Sequence, residues 1–177
     1  MNIPNVLSLV RIFLVPVLVV FLIVVPRPYN LSAAVVFLAA VLTDWLDGRI
    51  ARSTRQVTTL GKLLDPMADK LLISASLISL VQVGRVPAWM VVLIVGRDLA
   101  ITGLRGIAAS QNVIIQASDF GKATMIAEVI AVALLILNWP PISIPLGQAA
   151  LVVAILLSLV SGAVYFQKFW RSIDLGK

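Results

Sequence analysis

Residues 44–70 read DWLDGRIARSTRQVTTLGKLLDPMADK and hold Asp44, Asp47, Asp65 and Asp69, four of the eight acidic residues in a 177-residue chain. The sequence around them is oily: 60% of residues are hydrophobic and 12% charged, against about 45–50% and about 25% in soluble domains. Such a chain belongs in a membrane, where an ionisable side chain is costly and marks function by default. Asp44 and Asp47 are three residues apart and Asp65 and Asp69 four, so each pair lies on one face of a helix. The seventeen polar and basic residues between Asp47 and Asp65 are enough to set two antiparallel helices side by side. Four carboxylates then meet at one depth, where their repulsion in a low dielectric would drive protons onto some of them. Divalent cations remove the conflict, and an all-oxygen donor set suits Mg²⁺ or Mn²⁺. Two such ions balance four negative charges, and paired ions about 3.5–4 Å apart clamp the attacking and leaving oxygens of a phosphoryl displacement. Pairing with Arg49, Arg52, Arg55, Lys62 or Lys70 would account for one aspartate. It does not account for two facing pairs.

Working outward, six apolar stretches approach the roughly 20 residues that a helix needs to cross a bilayer: 6–26, 32–53, 63–83, 88–109, 120–138 and 147–169. Backbone groups in lipid must be paired internally, so these runs are helices. The expected fold is an all-α integral membrane protein with six transmembrane helices, forming one domain over residues 1–177. The first stretch carries Arg11 and has no small-residue cleavage site, so it is expected to be retained rather than removed as a signal peptide. Turn signals stand at PRPYN (26–30), GRVP (84–87), SQN (110–112) and GQ (147–148). Asp65-Pro66 is compatible with a helix N-cap followed by proline at the first helical position, or with a kink.

The chain has no cysteine and no histidine, which excludes disulfides, thiolate chemistry, a His/Cys zinc site and histidine general-base catalysis. Its net charge is +6. Arg27 and Arg85 fall in the first and third connections and NWPPISIPLG in the fifth has no charge, whereas the other twelve Lys and Arg lie at the opposite ends of the spans. The positive-inside rule puts that side, with both termini and the aspartates, in the cytoplasm. These cations are interleaved with apolar segments, so anionic head groups, not nucleic acid, are the expected partners. A divalent-cation transporter is the competing reading from another class. Inverted-repeat transporters carry corresponding interrupted helices in both halves near the midplane, and the acidic cluster has no counterpart in the second half.

Asp44, Asp47, Gly48, Ala51, Arg52, Gly61, Asp65 and Asp69, in that spacing, resemble the complete signature of the CDP-alcohol phosphotransferases. That resemblance implies a membrane enzyme, commonly a homodimer, that moves a phosphatidyl or similar group from a CDP-linked donor to an alcohol and releases CMP. It implies that Asp44, Asp47, Asp65 and Asp69 hold two divalent ions and that Asp69 deprotonates the acceptor hydroxyl. Gly48, Arg52 and Thr58 would contact the donor, and Gly61 gives it close approach. The opening NIPNVLSLVRIFLVP, with Asn5, Leu7, Ser8 and Arg11, is similar to the start of the family's phosphatidylglycerophosphate synthases, where this element helps bind the donor. The segments GRDLAITGLRGIAAS and GKATM resemble the same subgroup.

The resemblance therefore implies CDP-diacylglycerol as donor and sn-glycerol 3-phosphate as acceptor, in the bacterial cytoplasmic membrane. An independent clue lies in Arg97, Arg105 and Lys122, cations on or just beyond the fourth stretch. Converging, they could hold the acceptor's phosphate. An inositol phosphate acceptor would need the same cations, and phosphatidylglycerol is a third candidate.

Overall fold

The computed structural model describes residues 3–24, 30–54, 59–110, 119–139 and 141–174, with side chains described for fewer, notably none within 45–65. Among these, the chain forms six helices: α1 (Ile3–Ile23), α2 (Leu31–Thr54), α3 (Thr59–Gln82), α4 (Ala88–Ser110), α5 (Asp119–Leu137) and α6 (Ser143–Asp174). The expected all-α architecture is present. The expected six membrane spans are not. Among the described residues, three segments are long and apolar enough to cross a membrane: Val6–Ile23, Phe120–Leu137 and Ser143–Gln167. The apolar part of α2 is the shorter run Leu31–Asp44. In α3, Lys62, Asp65, Asp69 and Lys70 interrupt the apolar sequence, as Arg97, Asp98 and Arg105 do in α4. The charges that mark the site thus shorten the apolar reach of the helices that carry it. The placement of both termini in the cytoplasm, which rested on counting six crossings, goes with the span count.

The helices bury stripes at spacings of three and four, the period of one helical face. In α1 the stripe is Ser8, Arg11, Val15, Leu18 and Leu22, so a charged residue occupies a fully buried position. In α5 it runs Thr124, Glu128, Ala131, Leu135, and in α6 Leu151, Ile155, Ser158, Ser161, Tyr165. The lower part of each stripe is apolar and joins one core around Leu18, Phe37, Leu77, Ile94 and Leu135. The upper part is polar. α1 packs on α2 and α3, α5 packs on α6, and α4 bridges α3 and α6.

The connections at the apolar end are tied down by named groups. Buried Asn30 caps α2 by accepting from the Ala33 amide at 3.3 Å, and its Nδ2 donates to the Phe21 carbonyl at 2.8 Å. Half-buried Arg85 donates to the carbonyls of Leu135 and Ile136, both at 3.0 Å, satisfying the end of α5. Burial pulls the Arg85 pKa below the usual arginine value. Gly84 turns the chain after α3 with φ +72°, a conformation that favours glycine. Two local expectations are corrected here. GQ at 147–148 is not a turn: it lies inside α6, where Gly147 packs so closely that an added Cβ would sit 2.7 Å from Leu135 Cγ. Asp65-Pro66 is not an N-cap either, since α3 begins at Thr59 and runs through Pro66.

Candidate active site

The hairpin of α2 and α3 sets the register of the acidic cluster. Asp44 lies ten residues before the end of α2 and Asp69 ten residues after the start of α3. At about 1.5 Å of rise per residue, the two aspartates stand at one height. Most of the intervening stretch is helical rather than a long loop; only 55–58 lie between the two helices. Asp47 is one turn beyond Asp44 on α2 and Asp65 one turn before Asp69 on α3, so the backbone places all four at adjacent levels.

One nitrogen reports how closely the two helices bring their carboxylates together. Arg11 Nη1 donates to Asp69 Oδ1 at 2.6 Å and lies 3.0 Å from Asp44 Oδ1. Arg11 is fully buried, whereas the two aspartate side chains retain 27% exposure. A buried cation of this kind is tolerated only with such partners, because desolvation would otherwise exceed the attraction. Arg11, expected on the donor side, places its guanidinium as a shared counter-charge of Asp44 and Asp69. Ser8, also expected there, is fully buried one turn earlier on the same stripe.

The remaining expected donor and metal residues fall outside what is described. Asn5, Asp47, Gly48, Arg52, Gly61 and Asp65 lie on α1, α2 and α3, but their side chains are outside the described residues, and Thr58 is outside them altogether. Among the described residues no cluster of three or more His, Cys, Asp or Glu forms a cation site.

Asp69 also opens onto a cavity of about 250 Å³ between α3, α4, α5 and α6. Arg97, Arg105 and Lys122 all line it, so the three cations named from sequence share one chamber with Asp69. Their settings differ. Arg97 Nη1 donates to Asp98 Oδ1 at 2.8 Å and its Nη2 to Ser161 Oγ at 3.0 Å, which fixes the guanidinium. Arg105 is exposed and lies over the Tyr165 ring, 5.4 Å from its centroid, within cation–π range. Lys122 stands at the start of α5 on the cavity wall. Lys70 adds a fourth cation, donating to the Asp98 carbonyl at 3.3 Å. Burial lowers the Lys70 pKa, Asp98 opposes that shift, and Arg105 and Arg97 add to it.

Sequence reasoning missed Glu128, Tyr165 and Ser161, which line the same cavity. Glu128 is the only glutamate in the chain and stands in an otherwise apolar run. An ionisable residue in such a run is itself a signal, overshadowed by the denser cluster at 44–69. Tyr165 and Ser161 carried no comparable signal, because a Tyr or Ser on a helix face is ordinary.

A helical bundle that holds Asp44 and Asp69 together at one end and opens onto a cation-lined chamber is suited to phosphoryl transfer chemistry. Comparison with known proteins gives the class its family. The description CDP-alcohol phosphatidyltransferase matches residues 1–160, and the chain belongs to that family. Full-length relatives include the CDP-diacylglycerol–glycerol-3-phosphate 3-phosphatidyltransferase of Bacillus subtilis (strain 168), 40% identical over 97% of each chain. A protein of the same activity name, numbered 2, from Arabidopsis thaliana is 36% identical over 96% of this chain and 80% of its own. The Rickettsia bellii protein of that name is 32% identical over 94% of both.

Proposed function

We infer that this chain is a membrane-bound phosphatidyltransferase that moves the phosphatidyl group of CDP-diacylglycerol to sn-glycerol 3-phosphate. The products are phosphatidylglycerol phosphate and CMP. One observation carries the reading of a phosphorylated acceptor: a single cavity joins Asp69 to Arg97, Arg105 and Lys122. The choice of glycerol 3-phosphate among phosphorylated alcohols is supported by the activity that the 40% identical Bacillus subtilis relative is named for. A phosphorylated alcohol fits such a chamber, with its phosphate on the cations and its free hydroxyl at the carboxylate.

In the reaction the acceptor's primary hydroxyl oxygen bonds to the diacylglycerol-side phosphorus. The bond from that phosphorus to the bridging oxygen breaks, and CMP leaves with the electron pair. Asp69 takes the hydroxyl proton. Arg97, anchored by Asp98 and Ser161, holds the acceptor phosphate in a fixed direction, and Arg105 and Lys122 close around it. Positioning of this kind supplies much of the rate in phosphoryl transfer.

The proposed cofactors are two divalent cations, Mg²⁺ or Mn²⁺, held by Asp44, Asp47, Asp65 and Asp69. The donor set fits: Asp44 and Asp69 come from different helices and already share one cationic nitrogen, and hard oxygen ligands suit these ions. When bound, the ions neutralise pyrophosphate charge and acidify the attacking hydroxyl. Asn5, Ser8, Arg11, Gly48, Arg52, Thr58 and Gly61 form the proposed donor side, with Arg11 also pairing Asp44 and Asp69. The whole of 1–177 is read as one domain, assembled as a homodimer in the bacterial cytoplasmic membrane, with the site on the cytoplasmic face. The Lys and Arg residues around the aspartates support that orientation. The family resemblance supports the dimer.

The test is steady-state kinetics with each substrate varied in turn. Arg105→Ala and Lys122→Ala should each raise KM for glycerol 3-phosphate roughly 10-fold or more, the loss expected of one charge-assisted hydrogen bond, and leave KM for CDP-diacylglycerol unchanged. A rise in KM for the donor alone would remove the cations from the acceptor site.

A further inference from the structure

Three buried polar atoms on the cavity wall have no hydrogen-bond partner among the described residues: Arg97 Nε, Glu128 Oε1 and Tyr165 Oη. Buried donors and acceptors are almost always satisfied in native proteins, and each exception calls for a reason. Glu128 is 5% exposed and Tyr165 4%. Neither is there for want of an alternative, since apolar side chains occupy the neighbouring stripe positions Ala131 and Phe169. Glu128 is also not a counter-ion in any simple sense: Arg97 directs its Nη1 to Asp98, and no ion pair to Glu128 forms among the described residues. A carboxylate acceptor and a phenol that can donate or accept thus belong to two residues of one chamber wall, and each is left unsatisfied.

The cations account for a phosphate and Asp69 for the reacting hydroxyl, but neither accounts for this pair. Glycerol 3-phosphate has one further polar group, the C2 hydroxyl between the two ends. Resting on the acceptor assignment above, we propose that Glu128 and Tyr165 bind this non-reacting hydroxyl, the carboxylate accepting its proton-side hydrogen bond and the phenol donating to its oxygen. The pair then determines acceptor specificity: the chamber takes a phosphorylated polyol with a second hydroxyl on the carbon next to the one that bears the attacking oxygen, and discriminates against a chain without one. A site built to hydrogen-bond a substrate hydroxyl rejects the analogue that lacks it, because its own buried groups are left unpaired.

The probe is 3-hydroxypropyl phosphate, which keeps the phosphate and the primary hydroxyl and lacks only the C2 hydroxyl. CMP release from CDP-diacylglycerol is measured with each acceptor on wild type, Glu128→Ala and Tyr165→Phe. Wild type should prefer glycerol 3-phosphate in kcat/KM by roughly 10- to 100-fold, as for one hydrogen bond to a charged group. Glu128→Ala should bring that ratio close to one, Tyr165→Phe should lower it several-fold, and KM for the donor should stay unchanged in both. A wild-type ratio near one overturns the proposal, as does a variant that slows both acceptors by the same factor. Should Glu128→Ala not accumulate, the wild-type ratio and Tyr165→Phe, which removes a single oxygen, decide the matter. Absence of CMP with either acceptor in wild type would instead sink the acceptor assignment, and the proposal with it.

Discussion

Arg11 sits at the point where the chemistry and the stability of this protein meet. It is fully buried on the α1 stripe and touches both Asp44 and Asp69. Removing one partner of a buried charge cluster leaves the others uncompensated. Arg11→Leu should therefore destabilise the protein by roughly 3 kcal/mol, read as a lower thermal midpoint in detergent, and added Mn²⁺ should recover part of the loss by replacing the missing positive charge. Equal destabilisation with and without the ion would contradict the role assigned to Arg11. Asp69→Ala should cut CMP release per folded molecule by roughly 10²- to 10⁴-fold, the range for a positioned proton acceptor, with the folded fraction read on gel filtration because Arg11 also loses one of its two partners. At this scale the helical spacing of the aspartates was readable, because 3.6-residue periodicity alone aligns them. The partner of Arg11 was not, since it lies on a helix 58 positions away from Asp69 and a donor phosphate suits a guanidinium equally well.

At the scale of helices, the close fit of α5 on α6 holds the wall that carries Lys122, Glu128, Ser161 and Tyr165. Gly147 makes that fit possible near the far end: a Cβ there would meet Leu135 Cγ at 2.7 Å and the Ala131 carbonyl at 3.3 Å. Gly147→Ala should cost about 1–3 kcal/mol through overpacking, measured by denaturation in detergent, with KM for glycerol 3-phosphate unchanged in the protein that folds. The sequence suggested a turn at this glycine, and packing rather than turning turned out to be its task. Similarly, Asp65-Pro66 was compatible with a helix start or a kink, and Pro66 stands inside a helix whose first turns precede it. Hydropathy read along the chain also overcounted membrane spans, because windows of apolar residues absorbed Asp69, Lys70, Arg97 and Asp98. Those residues face the polar chamber, and the helices bearing them are correspondingly less apolar.

Taken as a whole, the molecule separates its tasks along the bundle axis. Apolar side chains such as Leu18, Phe37 and Leu135 fill one end, with Asn30 and Arg85 securing the connections there. The other end collects the aspartates, the cations and the cavity. A lipid donor and a water-soluble acceptor can meet only at a membrane face, and the proposed function requires the polar end to lie there. The central claim is that this end joins the two substrates at Asp69, and an acceptor panel tests it most directly. Purified protein with CDP-diacylglycerol and Mg²⁺ or Mn²⁺ should release CMP with glycerol 3-phosphate, far less with unphosphorylated glycerol, and none after chelation by EDTA. Release driven equally well by glycerol, or preferentially by inositol phosphate or phosphatidylglycerol, would contradict the account.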